Sequence, residues 1–287
     1  MDAATSQAAR QADTKALGHK DKRPVHSFAQ AKKSGDRMLA CRYELKYLLT
    51  ESKAAAIHQY IQPFLEYDRY SKLQRGGMYP IVSLYLDSPD LQLCRETLTG
   101  RQNRYKLRIR SYTDEPEYPR FFEIKRRINR VILKSRARVT DEDVPALLMG
   151  RPLPPRGYTT DEAALNQFQF YATTIHAGPT VLIRYTRQAF ESPSENRVRV
   201  TFDRELCYKI TDQPEVSLGG SGWQPSRITQ GHAILEIKFT GVYPAWLARM
   251  AAHFNLEVRS ISKFATSMTQ AGELGFCGPV RRNGWHG

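Results

Sequence analysis

The sequence predicts an α+β fold: an eight-stranded antiparallel β-barrel with helices packed outside. Three observations lead there. About eight segments alternate charged with apolar residues at the two-residue period of a strand. They are joined by turns and loops more often than by long crossover helices, which favours antiparallel pairing over a doubly wound parallel sheet. In each strand the charged residues share one face, and the other face is apolar enough for helices to cover. Curling the sheet turns the charged face inward, and about eight strands close into a barrel whose interior holds side chains or one small ligand.

The elements follow in order. Arg42 to Leu49 alternates as a strand, and Thr50 caps a helix whose Ala56, Ile57, Tyr60, Ile61, Phe64 and Leu65 fall at helical spacing. Tyr79 to Asp87 is a strand ending at Asp87-Ser88-Pro89-Asp90, and Leu91 to Leu98 is a short helix closed by Gly100. Asn103 to Tyr112 (NRYKLRIRSY) is the cleanest alternation, with Arg104, Lys106, Arg108 and Arg110 on one face and Tyr105, Leu107 and Ile109 on the other. One long strand is expected around Phe121 to Leu133. Helices are expected near Asp141 to Met149 and Asp161 to His176, separated by the proline-rich RPLPPRG. Strands Thr180 to Phe190, Asn196 to Asp203 and Ala233 to Thr240 come next. An amphipathic helix from Ala245 to Phe254 and a final short strand, Glu257 to Ile261, lead into Lys263 and a last helix.

The chain of 287 residues carries 43 Lys+Arg against 29 Asp+Glu, a net charge of +14 that favours contact with a polyanion: nucleic acid, a membrane surface or phosphate. Residues 1–37 read as a disordered basic tail, 38–275 as the folded domain and 276–287 as a C-terminal tail. No apolar run approaches the roughly 18 to 20 residues needed to span a bilayer, so a membrane link would come through a partner. Cys41, Cys94, Cys207 and Cys277 lack any C-x-x-C spacing and read as free thiols of a cytoplasmic protein. The histidines are scattered without H-x-x-x-H. Gly219-Gly220-Ser221-Gly222 reads as a flexible connection, and no G-x-x-x-x-G-K-[ST] is present.

Taken alone, NRYKLRIRSY would be a solvated basic face. The same alternation, however, runs through Arg42, Glu44, Lys46, Lys106, Arg108, Arg110, Glu123, Lys125, Arg197, Arg199, Glu236 and Lys238 on separate strands. Three of those strands repeat an acid and a base two apart, as Glu44-Leu45-Lys46, Glu123-Ile124-Lys125 and Glu236-Ile237-Lys238. A barrel lined with so many cations is unstable when empty and needs a strong anion. Phosphate chains satisfy it, since Arg binds phosphate oxygens bidentately and Lys supplies a compact charge. Acids among the bases suit a divalent cation that bridges phosphates.

The ordered set RYELKY, YKLRIR, FFEIKR, YTRQAF with VRVTFD, ILEIKF and SISKF resembles the catalytic domain of the vacuolar transporter chaperone (VTC) polyphosphate polymerases. The resemblance covers roughly Arg42 to Ala271. That family belongs to the CYTH-like, or triphosphate tunnel metalloenzyme, superfamily. The resemblance implies that Lys46, Arg108, Arg110, Lys125, Arg187, Arg199 and Lys263 line a tunnel and hold phosphates. Arg42, Lys106, Arg197 and Lys238 add substrate contacts, and Glu236, with Glu44 and Glu123, holds Mn²⁺ or Mg²⁺. It implies ATP and inorganic polyphosphate as partners, with a membrane protein as a further one. Arg187 raises a question of parity: strict alternation from Val181 puts it on the face of Ile183, with Arg184 on the other, and a bulge would reconcile this.

Hydrolytic and cyclase members of the wider fold usually begin E-x-E-x-K, whereas this chain reads Arg42-Tyr43-Glu44-Leu45-Lys46. Replacing the first acid by arginine weakens a two-metal arrangement and adds a phosphate contact, which favours the polymerase branch. Two alternatives stand beside it: an inorganic or nucleoside triphosphatase on the same fold, and a non-catalytic module binding polyphosphate or RNA. Nucleic acid is disfavoured because Glu44, Glu123 and Glu236 would repel its backbone without a metal.

Overall fold

In β1 (Arg42–Thr50) the odd residues Tyr47 and Leu49 are buried against α1 (Glu51–Ile61), leaving the even, charged residues for the other face. The Thr50 side chain accepts the Lys53 backbone N–H at 3.3 Å and starts the helix, while Ala54, Ile57 and Ile61 form its buried stripe. A computed structural model describes residues 42–129, 131–151, 159–193 and 198–275, with residues 42, 159 and 160 described in backbone only. The two expected tails, Cys41, Cys277 and most of RPLPPRG lie outside the described residues.

The elements that follow are β2 (Glu66–Tyr67), β3 (Met78–Asp87), α2 (Gln92–Leu98), β4 (Arg104–Ser111), β5 (Arg120–Ile128), β6 (Val131–Val139), α3 (Val144–Leu148), α4 (Thr159–Thr174), β7 (Gly178–Glu191), β8 (Val198–Ile210), β9 (Gln224–Pro225), β10 (His232–Thr240), α5 (Ala245–His253) and α6 (Lys263–Glu273). Eight strands pair antiparallel in the order β1-β10-β8-β7-β3-β4-β5-β6, with the two-residue β9 and β2 attached to β8 and β7. The fold is α+β, a curled antiparallel sheet with helices outside. No backbone ladder joins β1 to β6 among the described residues, but side chains cross between these regions inside the curl: Lys125 Nζ of β5 donates to both Glu44 carboxylate oxygens of β1, at 3.1 and 2.8 Å.

The outer face supplies two cores. One joins Tyr47, Val200, Phe202, Leu235 and Ile237 to α1 and to Leu247 and Met250 of α5. The other joins Leu84, Leu107, Ile109, Phe122 and Ile124 to α2, to Phe168 of α4 and to Phe264 and Met268 of α6. Burying these apolar faces under helices is what directs the charged faces inward.

Three expectations are corrected. The long strand expected over Phe121 to Leu133 is two strands, because Asn129 takes a left-handed φ of 53° and turns the chain back on itself. The strand expected over Glu257 to Ile261 is absent: that segment is irregular and touches β1 through one backbone bond, Arg259 N–H to Lys46 C=O at 2.8 Å. The glycine cluster is anchored rather than loose, since Asp114 accepts the Leu218 and Gly219 backbone N–H groups at 2.7 and 3.1 Å and Arg184 lies over the Trp223 ring at 4.3 Å. Cys94 is buried and Cys207 half-buried, both free. Among the described residues no helix is long and apolar enough to cross a membrane.

Candidate active site

Register assembles the first wall of the interior. Pairing of β4 with β5 and β5 with β6 places Arg108, Glu123 and Arg136 abreast, and Lys106, Lys125 and Lys134 in the next row. Glu123 is 1% exposed and ringed by cations. Arg108 Nε reaches its Oε2 at 2.7 Å, and Arg136 Nε and Lys134 Nζ reach its Oε1 at 2.6 and 2.8 Å. Arg110 lies 4.0 Å away and is itself held by Ser83 Oγ at 3.1 Å and the Tyr185 hydroxyl at 3.4 Å. Burial pushes the Glu123 carboxyl up, but Arg108, Arg110, Lys134 and Arg136 outweigh it and hold it well below the usual carboxylate range. Burial brings the Lys134 ammonium down to about 7 against the pull of Glu123.

The second wall comes from β1, β10, β8 and β7. Lys46 stands opposite Glu236, and Glu44 opposite Lys238. Lys46 Nζ is 3.2 Å from Glu44 Oε1, and Lys238 pairs with Glu236. Burial and Glu236 raise the Glu44 carboxyl, yet Lys125, Lys46 and Lys238 bring it to about 2. Burial also raises Glu236, and Lys238, Lys46, Arg187 and Lys263 hold it well below the ordinary value. Burial lowers the Lys238 ammonium to about 8 despite Glu236.

Arg187 faces inward. Against β3 the β7 ladder keeps strict alternation, with Ile183 opposite Ser83, Tyr185 opposite Ile81 and Arg187 opposite Tyr79, so no bulge in β7 is needed. The inward face simply carries Ile183 and Tyr185 among its charges. The irregularity lies across the β7–β8 pairing, where Glu205 of β8 takes φ 52°. Arg187 binds Asp203 through both Nε, at 2.6 Å, and Nη2, at 2.8 Å, and Lys263 Nζ reaches the same carboxylate at 2.6 Å. Arg199 donates to Asp68 at 2.7 Å and to the Tyr79 hydroxyl at 3.4 Å.

Lys263 opens α6, whose start enters the curl: Ser262 caps the helix by accepting Ala265 N–H at 3.2 Å, and Phe264 stacks on Tyr85 at 4.9 Å. Lys106 Nζ donates to Ser262 Oγ at 2.8 Å and Lys46 Nζ to Ile261 C=O at 3.0 Å. Burial, with Lys46 and Lys125 nearby, pushes the Lys106 ammonium well down. A cavity of about 840 Å³ opens here, with Glu44, Lys46, Lys106 and Lys125 in its wall and Arg104, Arg127 and Arg259 around it.

Of the expected residues, Lys46, Lys106, Arg108, Arg110, Lys125, Arg187, Arg199, Lys238 and Lys263 are brought to this interior with Glu44, Glu123 and Glu236. Arg42 begins β1 opposite Thr240 and its side chain is not described, while Arg197 lies outside the described residues. Lys134, Arg136, Asp203 and Asp68 complete the site and were missing from the sequence reading. Lys134-Ser135-Arg136-Ala137-Arg138 carried the signal, an alternation hidden by placing the strand end at Leu133.

A divalent metal can be tested against these acids. Glu123 is saturated by four cationic side chains, whereas Glu44 and Glu236 face each other diagonally across the β1–β10 ladder, close enough for Glu236 to push the Glu44 carboxyl up. Among the described residues no group of three or more His, Cys, Asp or Glu forms a self-sufficient metal site. Two carboxylates suit a Mg²⁺-like ion that takes its other oxygens from phosphate and water, so Glu44 and Glu236 fit and Glu123 does not.

The family model for the VTC domain matches residues 41–271, and the chain therefore belongs to the VTC domain family. Similar solved structures include a candidate adenylate cyclase from Bacillus halodurans, 14% identical, covering 77% of this chain and 95% of that one at a TM-score of 0.41. Another, a candidate adenylate cyclase from Vibrio parahaemolyticus, is 12% identical and covers 79% and 97% at a TM-score of 0.39. No curated protein matches the sequence.

Proposed function

We propose that this VTC domain is a polyphosphate polymerase, transferring the terminal phosphoryl group of ATP to a growing inorganic polyphosphate chain. One observation carries the reading: cations from β1, β4, β5, β6, β7, β8, β10 and α6 converge on one interior and outnumber its acids, most strongly around Glu123. That surplus takes in the Arg108–Glu123–Arg136 row and continues into the next row, beside the cavity at Lys106.

Phosphoryl transfer asks little covalent chemistry of the protein, so positioning and charge neutralisation carry it. Arg108, Arg110, Arg187 and Arg199 offer forked donors already oriented by Glu123, Ser83, Asp203 and Asp68. Lys46, Lys106, Lys125 and Lys263 supply compact charges that can swing from Ile261, Ser262, Glu44 and Asp203 to phosphate oxygens. Mn²⁺ or Mg²⁺ on Glu236 and Glu44 would neutralise charge on the phosphates. The acceptor phosphate is already anionic, so no side chain need act as its base.

The test is product analysis with ATP and Mn²⁺. The expected result is ADP release with phosphate accumulating as a ladder on a gel, undetected as orthophosphate until acid hydrolysis. Orthophosphate equal to ADP from the earliest time points, with no ladder, would move the assignment to a triphosphatase. Neither product would leave a binding module.

A further inference from the structure

The two ends of the charged interior differ in chemistry. At the end entered by α6 the cavity wall carries Lys46, Lys106 and Lys125 with Glu44, and arginines around them. At the other end, where β3 and β5 begin and β4 finishes, the inward positions become aromatic. Tyr79 starts the inward row of β3, Tyr112 follows β4 in phase with Arg108 and Arg110, and Phe121 pairs with Arg110 on β5. Tyr70 joins them from the loop after β2. Its ring lies parallel to Tyr112, at 9° and 5.8 Å, and 5.7 Å from Tyr79; Tyr112 meets Phe121 edge-on at 5.8 Å.

This cluster is wired to the phosphate-binding arginines. Arg136 donates to the Tyr112 hydroxyl at 3.1 Å and lies over the Phe121 ring at 4.1 Å. Arg199 donates to the Tyr79 hydroxyl and to Asp68, and Asp68 accepts Ser71 N–H at 2.8 Å, which fastens the loop bearing Tyr70 to the rim. Elsewhere the aromatic pairs that merely fill the core are buried, as Phe122 and Phe168 are. Here Tyr70 and Tyr112 are only half-buried, and the Arg69 guanidinium lies over the Tyr70 ring at 4.5 Å, so the cluster reaches the surface flanked by arginines.

We propose that the Tyr70–Tyr112 pair, backed by Tyr79 and Phe121, is a nucleobase-stacking subsite. It gives the interior a direction: the base of a nucleoside triphosphate rests at the aromatic end, and its phosphates point past Arg108 and Arg110 toward Lys106 and α6. A planar base gains from aromatic stacking and from arginine held over a ring, whereas an inorganic phosphate chain has no π-face to offer. The stacking is tolerant of base identity, so ATP and GTP both gain from it. The inference rests on the phosphate-binding reading of the same interior.

Calorimetric titration of the whole chain in EDTA with ATP and with tripolyphosphate separates the two. Tyr70→Ala is expected to weaken ATP by on the order of tenfold or more while leaving tripolyphosphate within about twofold, and Tyr70→Phe, which keeps the ring, to retain ATP affinity. Unchanged ATP affinity in Tyr70→Ala, an equal loss for both ligands, or an equal loss in Tyr70→Phe would overturn the subsite. Should Tyr70→Ala fail to fold, 2-aminopurine riboside triphosphate on the unaltered protein decides instead. Quenched emission on binding supports stacking, and unquenched emission removes it. If tripolyphosphate does not bind the unaltered protein, the phosphate reading fails and takes this inference with it. If it binds while ATP affinity ignores the rings, the subsite alone fails.

Discussion

The two walls of the interior use the same alternation to different ends. On the β1, β10 and β8 side, Glu44, Glu236 and Asp203 meet Lys46, Lys238, Lys263 and Arg187, so acids and bases nearly match. On the β4, β5 and β6 side, Glu123 alone faces Arg108, Arg110, Lys134 and Arg136. A nearly balanced wall holds its geometry by itself. An unbalanced one holds its cations in place with a single central anion and keeps an unmet demand for negative charge. Charge count and placement, rather than strand pattern, set the two walls apart.

The largest effect should come from breaking the balanced wall. Asp203 is 0% exposed and carries both Arg187 and Lys263, so Asp203→Ala leaves two buried cations without their shared anion. We expect a loss of about 3–5 kcal/mol in unfolding free energy, seen as a fall in Tm of about 10 °C. A change under about 1 kcal/mol would show that this wall does not depend on its pairing.

A pair of variants then tests the division of labour. Glu236→Gln should reduce metal-dependent turnover by on the order of 100-fold and leave polyphosphate binding largely intact, because it removes an anion and no phosphate contact. Arg108→Ala should instead weaken polyphosphate by about 10- to 100-fold, with a binding constant less sensitive to salt than that of the unaltered protein. Turnover undiminished in Glu236→Gln would remove the metal from that wall.

The smallest effect is a protonation signature of the unbalanced wall. Partial desolvation, with Arg136 and Arg108 alongside, lowers the 46% exposed Lys134 from 10.5 to about 7, so between these values the unfolded chain holds a proton that the folded chain has released. On this account stability rises with pH from about 7 toward 10.5, and below about 7 the full cost of charging Lys134 beside Arg136 and Arg108 is present, moderated by solvent at its half-exposed ammonium. An arriving phosphate favours the charged form, so binding at pH 8 should take up protons. Calorimetry in buffers of different ionisation enthalpy reads the uptake, and Lys134→Met should diminish it. Uptake undiminished in Lys134→Met would assign the proton elsewhere.

The hairpin of β5 and β6 shows where sequence reading stopped. Val131-Ile132-Leu133 continues the apolar character of Phe121 to Ile128, and the turn between them has neither glycine nor proline, only Asn129 in a left-handed conformation. Asparagine tolerates that conformation without requiring it, so the turn becomes visible only when Lys125 is seen paired with Lys134. Missing the turn removed Lys134 and Arg136 from the candidate site. Arg187 taught the converse: simple alternation placed it correctly, and the objection that its face also held Ile183 assumed a lining charged throughout.

By itself the sequence determined the antiparallel strands, the caps at Thr50 and the helix stripes, and the parity that puts Glu44, Lys46, Arg108, Arg110, Glu123, Lys125, Arg199, Glu236 and Lys238 on charged faces. These are local consequences of a two-residue period and of apolar residues seeking cover, which a chain expresses within a few residues. Only the tertiary structure decided which acid serves which base. Glu123 and Glu236 sit in near-identical Glu-Ile-Lys stretches, yet Glu123 is claimed by Arg108, Lys134 and Arg136 from adjoining strands, while Glu236 stands diagonal to Glu44. Coulomb interactions depend on distance in space, and neighbours brought by strand pairing leave no trace in the stretch itself.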